Sequence, residues 1–182
     1  ITESGATHSK ELVKPTVSSV SSTTADGTHN TGYQINIIVT FTEAVIVNTD
    51  NGTPQLTLET GTTDAVVNYT SGSGTTTLIF NYTVAVGDTS SDLDYDSTNA
   101  LALNSSTILD AVGNSATLTL AAPGATTSLG ANKALVIDGV VPEVPTGLVV
   151  TDGNTSTNWP GLPAARTTWR TLRSMVIQQQ LQ

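Results

Sequence analysis

Between residues 33 and 47 the chain reads Tyr-Gln-Ile-Asn-Ile-Ile-Val-Thr-Phe-Thr-Glu-Ala-Val-Ile-Val. Tyr33, Ile35, Ile37, Val39 and Phe41 occupy every second position. Gln34, Asn36, Thr40 and Thr42 lie between them, with Ile38 the one exception. Side chains alternate faces along a strand, whereas an apolar helix face recurs every three to four residues. This register therefore defines a half-buried β-strand. It predicts that the five apolar residues point inward as the central rib of a two-sheet core. A second stretch, 75–84, repeats the pattern: Leu78, Phe80, Tyr82 and Val84 alternate with Thr77, Ile79, Asn81 and Thr83. It is the natural facing partner of the first.

Shorter strands are expected at 16–21, 55–59 and 65–70, and around 93–95, 101–103, 107–109, 116–120 and 134–137. Turn-forming residues punctuate them. Residues 23–32 read as a loop, 71–74 as a Ser-Gly-Ser-Gly hairpin tip, and Asn51-Gly52 as a type I′ hairpin signal. Short strands set between Gly, Asn and Asp turns at intervals of roughly ten residues indicate an all-β antiparallel sandwich. No amphipathic helix is expected before Pro142.

A chain of 182 residues has room for one good-sized domain plus a remnant, or for two small ones. The divisions expected are a flexible lead-in at 1–14, the β-domain at 15–141, a Pro-containing linker with the first strand of another domain at 142–158, and a tail at 159–182. The tail brings in both tryptophans, all the arginines, the single Met and a Gln run. Ile1 is not a start residue and no signal peptide opens the chain, so the sequence reads as an excised piece.

Charge is unevenly spread. From Pro15 to Ala165 there are 13 acids and a single base, Lys133, a net of −12. Such a body repels nucleic acid and anionic membranes and suits a cation-rich medium. The absence of cysteine removes disulfides and thiolate metal sites. No apolar run approaches the roughly 18 residues needed for a membrane helix. The Thr- and Ser-rich filling between regularly spaced β-branched residues argues for a solvated β-domain and against disorder.

Asp92-Leu-Asp94-Tyr-Asp96 is the sharpest chemical feature. On a strand its three carboxylates share one face while Leu93 and Tyr95 point to the core. Like charges so placed repel unless water or a cation screens them, and Ca²⁺ selects oxygen-only ligands of this kind. The bland alternative is a solvated acidic strand end. An EF-hand loop is excluded, because Ser97 stands at its sixth position and Leu103 at its twelfth. Asp110-Ala-Val-Gly-Asn114 reads as a tight turn in which Asp caps, Gly takes positive φ and Asn tolerates it. Glu43 interrupts an apolar run and reads as a bend residue, with metal ligation the minority view. His8 and His29 lie far apart in loop sequence, so zinc is not expected and His29 should be solvated. No triad and no phosphate loop is legible.

Several stretches carry a family likeness. They are Pro-Thr-Val-Ser-Ser-Val-Ser-Ser-Thr-Thr-Ala-Asp-Gly (15–27), Ile-Val-Thr-Phe-Thr-Glu-Ala-Val (38–45) and Gly-Thr-Pro-Gln-Leu-Thr-Leu-Glu-Thr-Gly (52–61). Gly-Asp-Thr-Ser-Ser-Asp-Leu-Asp-Tyr (87–95), Ile-Leu-Asp-Ala-Val-Gly-Asn (108–114) and Asn-Lys-Ala-Leu-Val-Ile-Asp (132–138) follow in order. Together they resemble one repeat of the bacterial Ig-like (cadherin-like) modules of large surface adhesins and motility-associated surface proteins. The resemblance implies an Ig-like antiparallel Greek-key β-sandwich. It also implies an oxygen-donor role for Asp110, and Ca²⁺ held at the junction to the next domain by Asp138 and Glu143.

From Glu143, Glu-Val-Pro-Thr-Gly-Leu-Val-Val-Thr-Asp resembles the first strand of a fibronectin type III domain whose remainder is missing. Trp159-Pro-Gly-Leu-Pro-Ala-Ala-Arg can be encoded so that the neighbouring frame reads Leu-Ala-Trp-Thr-Ala-Ser-Ser, as a second fibronectin-type strand would. On that reading 159–182 is an out-of-frame tail. The rival reading is an amphipathic docking helix with Trp169, Leu172 and Val176 on one face beside Arg170 and Arg173. Gene sequencing separates the two.

The function expected is a non-enzymatic extracellular repeat of a bacterial surface or secreted protein, a Ca²⁺-stiffened spacer or adhesion module. Its partners would be neighbouring repeats, a cell-surface glycan or protein receptor, or further copies of itself. Two alternatives stand beside it: an accessory module of a secreted glycan-active enzyme, and a subunit that self-assembles by strand pairing at an exposed edge.

Overall fold

A computed structural model describes residues 13–142. The expectations for the remaining residues (the lead-in to residue 12, the fibronectin-like strand, the tail and Glu143) lie outside the described residues. The described residues form ten strands and one short helix, an all-β, sandwich-like fold.

The alternating stretch becomes β3 (Gln34–Asn48), and Ile35, Ile37, Val39 and Phe41 are all but fully buried. Tyr33 is the correction: it is 48% exposed. The Tyr33 N–H donates to Asn30 O at 3.0 Å and the Gly32 N–H to Val84 O at 2.8 Å, with Gly32 at φ +86°. That turn makes the strand start at Gln34, one residue after Tyr33, whose ring instead stacks on His29 at 4.4 Å between centroids.

The second alternating stretch is β6 (Thr75–Thr83). It pairs antiparallel with β3, setting Ile35 opposite Tyr82, Ile37 opposite Phe80 and Val39 opposite Leu78. The two long strands are thus hydrogen-bonded neighbours in one sheet, not partners facing each other across the core. Alternation cannot separate these cases, since both require the same inward residues. Direct cross-strand contact of apolar side chains on one face is the unit that stabilises a sheet.

On the far side of β3 lies β1 (Val17–Ser22). Beyond β6 the sheet continues through β5 (Ala65–Ser71) and β4 (Gln55–Leu58) to β8 (Leu101–Ala102). The outer part of β3 pairs with β9 (Thr107–Leu109), past a register shift between Thr40 and Val45. Glu43 sits within that irregularity, as a bend residue should.

The second sheet is β2 (Gly27–Asn30), β10 (Leu135–Asp138) and β7 (Thr89–Ser90), in that order across the sheet from β2 through β10 to β7. One pair departs from the antiparallel pattern of the other strand pairs: β10 runs parallel to β2. The segment expected to be a loop therefore supplies a strand. Asp26 fixes its start: its Oδ1 accepts from Ala134 N at 3.2 Å and meets Lys133 Nζ at 2.7 Å. The Lys133 ammonium and the Ala134 N–H hold the Asp26 carboxyl below its ordinary pKa.

Three further expectations change. The stretches at 93–95 and 116–120 make single bridges only, Leu58 with Tyr95 and Thr16 with Thr117. A four-residue helix, α1 (Leu129–Asn132), precedes β10, capped by Ser128 Oγ accepting from Ala131 N at 3.2 Å. Asn51-Gly52 does not make a hairpin, because β3 and β4 are not paired and neither residue has positive φ. The 71–74 tip does join paired strands, β5 and β6, with Gly72 and Gly74 both at positive φ.

Leu135 and Ile137 of β10, with Leu93, Tyr95, Leu120 and Leu129 from the connecting segments, are buried in one apolar cluster with the long strands. The chain enters beside the far half of β3, where Thr42 N donates to Thr16 O at 2.9 Å and Asn114 Nδ2 to Val13 O at 3.1 Å. It leaves beside the other end of β3, where Gly139 N donates to Asp88 O at 2.7 Å and Thr31 Oγ1 to Gly139 O at 3.2 Å. Entry and exit thus lie at opposite ends of the long strand. No described helix is long and apolar enough to cross a membrane.

Candidate functional site

The acidic groups singled out in the sequence fall at separate places on this frame. The segment 92–96 is irregular backbone clipped from both sides: Leu93 N donates to Leu135 O at 2.8 Å and Asp96 N to Thr57 O at 3.2 Å. Leu93 and Tyr95 point inward as expected, at 0% and 1% exposure. The three carboxylates, however, are not equivalent. Asp92 and Asp96 are exposed, while Asp94 is buried, with Oδ1 accepting from Tyr95 N and Oδ2 from Gly124 N, each at 2.9 Å. Asp94 thereby ties the 121–124 turn to the core, helped by Tyr95 OH donating to Ala121 O at 2.8 Å. Local side-chain hydrogen bonding of this kind competes with a strand ladder, which is why 92–96 is not the strand expected. Burial first, and then the Asp94 charge, push the Tyr95 phenol up to about 12.

Asp92 and Asp94 do converge. A Cβ placed on Gly130 would stand 3.1 Å from Asp94 Oδ2 and 3.5 Å from Asp92 Oδ2, so the bare glycine leaves room for both. Asp96 turns to Ser97, whose Oγ donates to Asp96 Oδ1 at 3.2 Å.

Asp110 is buried and forms the tight turn as read. Its Oδ1 accepts from Val112 N at 2.9 Å and Asn114 N at 2.7 Å, and its Oδ2 accepts from Asn114 Nδ2 at 2.6 Å. Gly113 takes φ +90°, but Asn114 does not; it serves as donor instead. Desolvation acts to raise the Asp110 pKa, and the converging donors from Asn114, Val112 and Gly113 outweigh it, holding the carboxyl below its usual range.

Asp138 ends β10 in an exposed position, its Oδ1 accepting from Val140 N at 3.2 Å. Glu43 is half-buried at the β3 bend. Among the described residues no group of three or more His, Cys, Asp or Glu side chains is arranged to hold a metal ion. His29 departs from expectation, for it is 6% exposed and its Nε2 lies 3.1 Å from Ala25 O.

Asp88 was missed. Its Oδ2 accepts from buried Tyr82 OH at 2.6 Å and from Ala85 N at 2.8 Å. Nothing in the sequence around Gly87-Asp88 shows that the carboxylate reaches a core tyrosine. The chain matches no protein-family model, no curated protein and no solved structure.

Proposed function

We propose that this β-domain is a non-enzymatic extracellular repeat, a spacer or adhesion module of a bacterial surface or secreted protein of the Ig-like (cadherin-like) kind. The observation that supports it is the path of the chain. It enters at the Val13–Thr16 end of the sandwich-like body and leaves at the Gly139 end, so successive copies joined through short linkers would run in line. A strongly acidic, cysteine-free body fits a cation-rich medium.

Calcium is the second part of the proposal, and the described residues fit it only in part. Asp92 and Asp94 offer two converging carboxylates over Gly130, and Asp138 marks the exit to the next domain. Extracellular modules bind Ca²⁺ at roughly 0.1–1 mM. At 1 mM ion the tighter limit adds about 1.4 kcal/mol per site, enough to stiffen a junction but not to fold an unfolded domain.

Two experiments test the two parts. Small-angle scattering of two 15–141 copies in tandem should give nearly twice the maximum dimension of one, and a side-by-side dimension contradicts the spacer reading. Ca²⁺ should raise the melting temperature of the whole chain by several degrees, reversibly with EDTA. No shift at about 10 mM, roughly ten times the weaker affinity limit, removes calcium from the proposal.

A further inference from the structure

Three Asn-Gly or Asp-Gly pairs fall within the described residues: Asp26-Gly27, Asn51-Gly52 and Asp138-Gly139. Such pairs are labile in a free chain. Glycine brings no side chain to hinder its own backbone nitrogen from attacking the carbonyl of the side chain before it. The fold restrains two of the three. Gly27 N donates to Ala134 O at 3.0 Å, and Asp26 is held by Lys133 and Ala134. Gly139 N donates to Asp88 O at 2.7 Å, and Asp138 Oδ1 accepts from Val140 N.

Asn51-Gly52 is left open. Gly52 N lies 3.3 Å from Thr49 O across a turn, longer than an ordinary N–H···O bond. The Asn48 and Asp50 side chains bond to each other, whereas the exposed Asn51 side chain makes no hydrogen bond among the described residues. The glycine itself is fixed by space. A Cβ at Gly52 would overlap the Asn104 carbonyl, and beside it Asn104 Nδ2 donates to Thr53 O at 3.2 Å. The loop is thus pressed against the 103–106 turn, where Asn104 and Ser105 take φ of +47° and +65°. Non-glycine residues hold such angles only when their surroundings keep them there.

We propose that Asn51 is a self-modification site, converted by its own chain to aspartate and isoaspartate, and that the isoaspartyl form releases the 103–106 turn. The Gly52 backbone nitrogen gives up its proton to water and bonds to Asn51 Cγ. The bond from Cγ to the side-chain nitrogen breaks, and that nitrogen leaves as ammonia, closing a succinimide ring. Water then opens the ring at one of its two carbonyls. Cleavage at Cγ gives aspartate; cleavage at the main-chain carbonyl gives isoaspartate, whose backbone runs through Cγ and is one methylene longer. Both products take the chain from a net charge of −9 to −10. The longer backbone has no room toward Asn104, so the loop must lift and the Asn104–Thr53 bond is lost. The proposal is independent of the spacer and calcium readings.

Peptide mapping by mass spectrometry tests it, on the whole chain aged in warm, mildly alkaline buffer both folded and in urea. Asn51 should convert at least tenfold faster than any other described asparagine, and folding should slow it less than tenfold. Isomerisation of Asp26-Gly27 and Asp138-Gly139, which runs through the same ring, should be slowed tenfold or more by folding. Asn51→Gln, whose longer side chain closes its ring slowly, should remove the fast conversion. The isoaspartyl form, separated by chromatography, should exchange the Ser106 amide, which donates to Leu103 O, at least tenfold faster than the fresh chain. Asn51→Asp adds the charge without the methylene and should leave that amide unchanged. The proposal is overturned if folding protects Asn51 tenfold or more, or if another described asparagine converts within tenfold of it. It is equally overturned if folding slows the two Asp-Gly pairs less than tenfold, if Asn51→Gln keeps the fast conversion, if Ser106 exchange rises less than tenfold, or if Asn51→Asp raises it as much.

Discussion

The Tyr82 hydroxyl donates a 2.6 Å hydrogen bond to Asp88 Oδ2, and the same oxygen accepts the Ala85 N–H at 2.8 Å. The contact joins the end of the central sheet to the loop that holds the exit of the chain. There Gly139 N donates to Asp88 O, and Gly87 N to Gly139 O at 2.9 Å. Burial first, and then the Asp88 hydrogen bond and charge, raise the Tyr82 phenol far above its ordinary value.

Tyr82→Phe should therefore cost about 1.5–3 kcal/mol, the range for a hydrogen bond to a charged group, and lower the melting temperature by several degrees. The pH dependence has a definite sign. With folded values raised above about 10 for Tyr82, and to about 12 for Tyr95, the stabilisation is complete below pH 10 and is lost as pH rises beyond it. Melting curves from pH 8 to 12 should show that decline, and Tyr82→Phe should make it shallower. An equal slope in both proteins would exclude Tyr82 as its source.

Asp110 predicts the opposite limb. Its folded pKa lies below the ordinary carboxylate value near 3.9, so its contribution is present above that pH and is lost as pH falls through the folded value. Asp110→Ala should lower the melting temperature at pH 7 and reduce the loss of stability between pH 5 and 2. It should also detach Asn114, whose Nδ2 reaches Val13 O at the entry of the chain. Faster exchange at the 110–114 amides is the local readout.

Gly52 is required by space and not by φ. A Cβ there would strike the backbone carbonyl of Asn104, which cannot rotate away as a side chain could. Gly52→Ala should cost about 1–3 kcal/mol, as overpacking does. Gly113→Ala is the instructive contrast: nothing lies within 4 Å of its Cβ position, so its cost is backbone strain at φ +90° of about 1–2 kcal/mol. Denaturant midpoints measure both.

These residues show what was legible beforehand. The inward sets Ile35–Phe41 and Leu78–Val84 could be read because alternation is a local property of the chain, and the same holds for Gly113 in its Asp-Ala-Val-Gly-Asn turn. Tyr33 was misjudged because one hydrogen bond to Asn30 ends the strand there, and sequence period says nothing about where pairing stops. The parallel β2–β10 pair was invisible, since it joins segments about a hundred residues apart and is fixed by the Asp26–Lys133 contact. The acidic segment was half legible. Leu93 and Tyr95 had to face inward, but the burial of Asp94 depends on the Gly124 N–H, which only the fold brings to it.

The in-line path of the chain is the centre of the functional reading, and one distance tests it. Val13 and Val140 are each 61% exposed and the chain has no cysteine, so Val13→Cys and Val140→Cys together give a clean pair for spin or fluorescent labels. The strand register between Gln34 and Phe41 alone spans roughly 24 Å at about 3.4 Å per residue, and the two labels lie beyond its ends. A label separation with its mean above about 25 Å and a narrow spread is the result expected. A mean below about 15 Å would place entry and exit at the same end, and would contradict the spacer account.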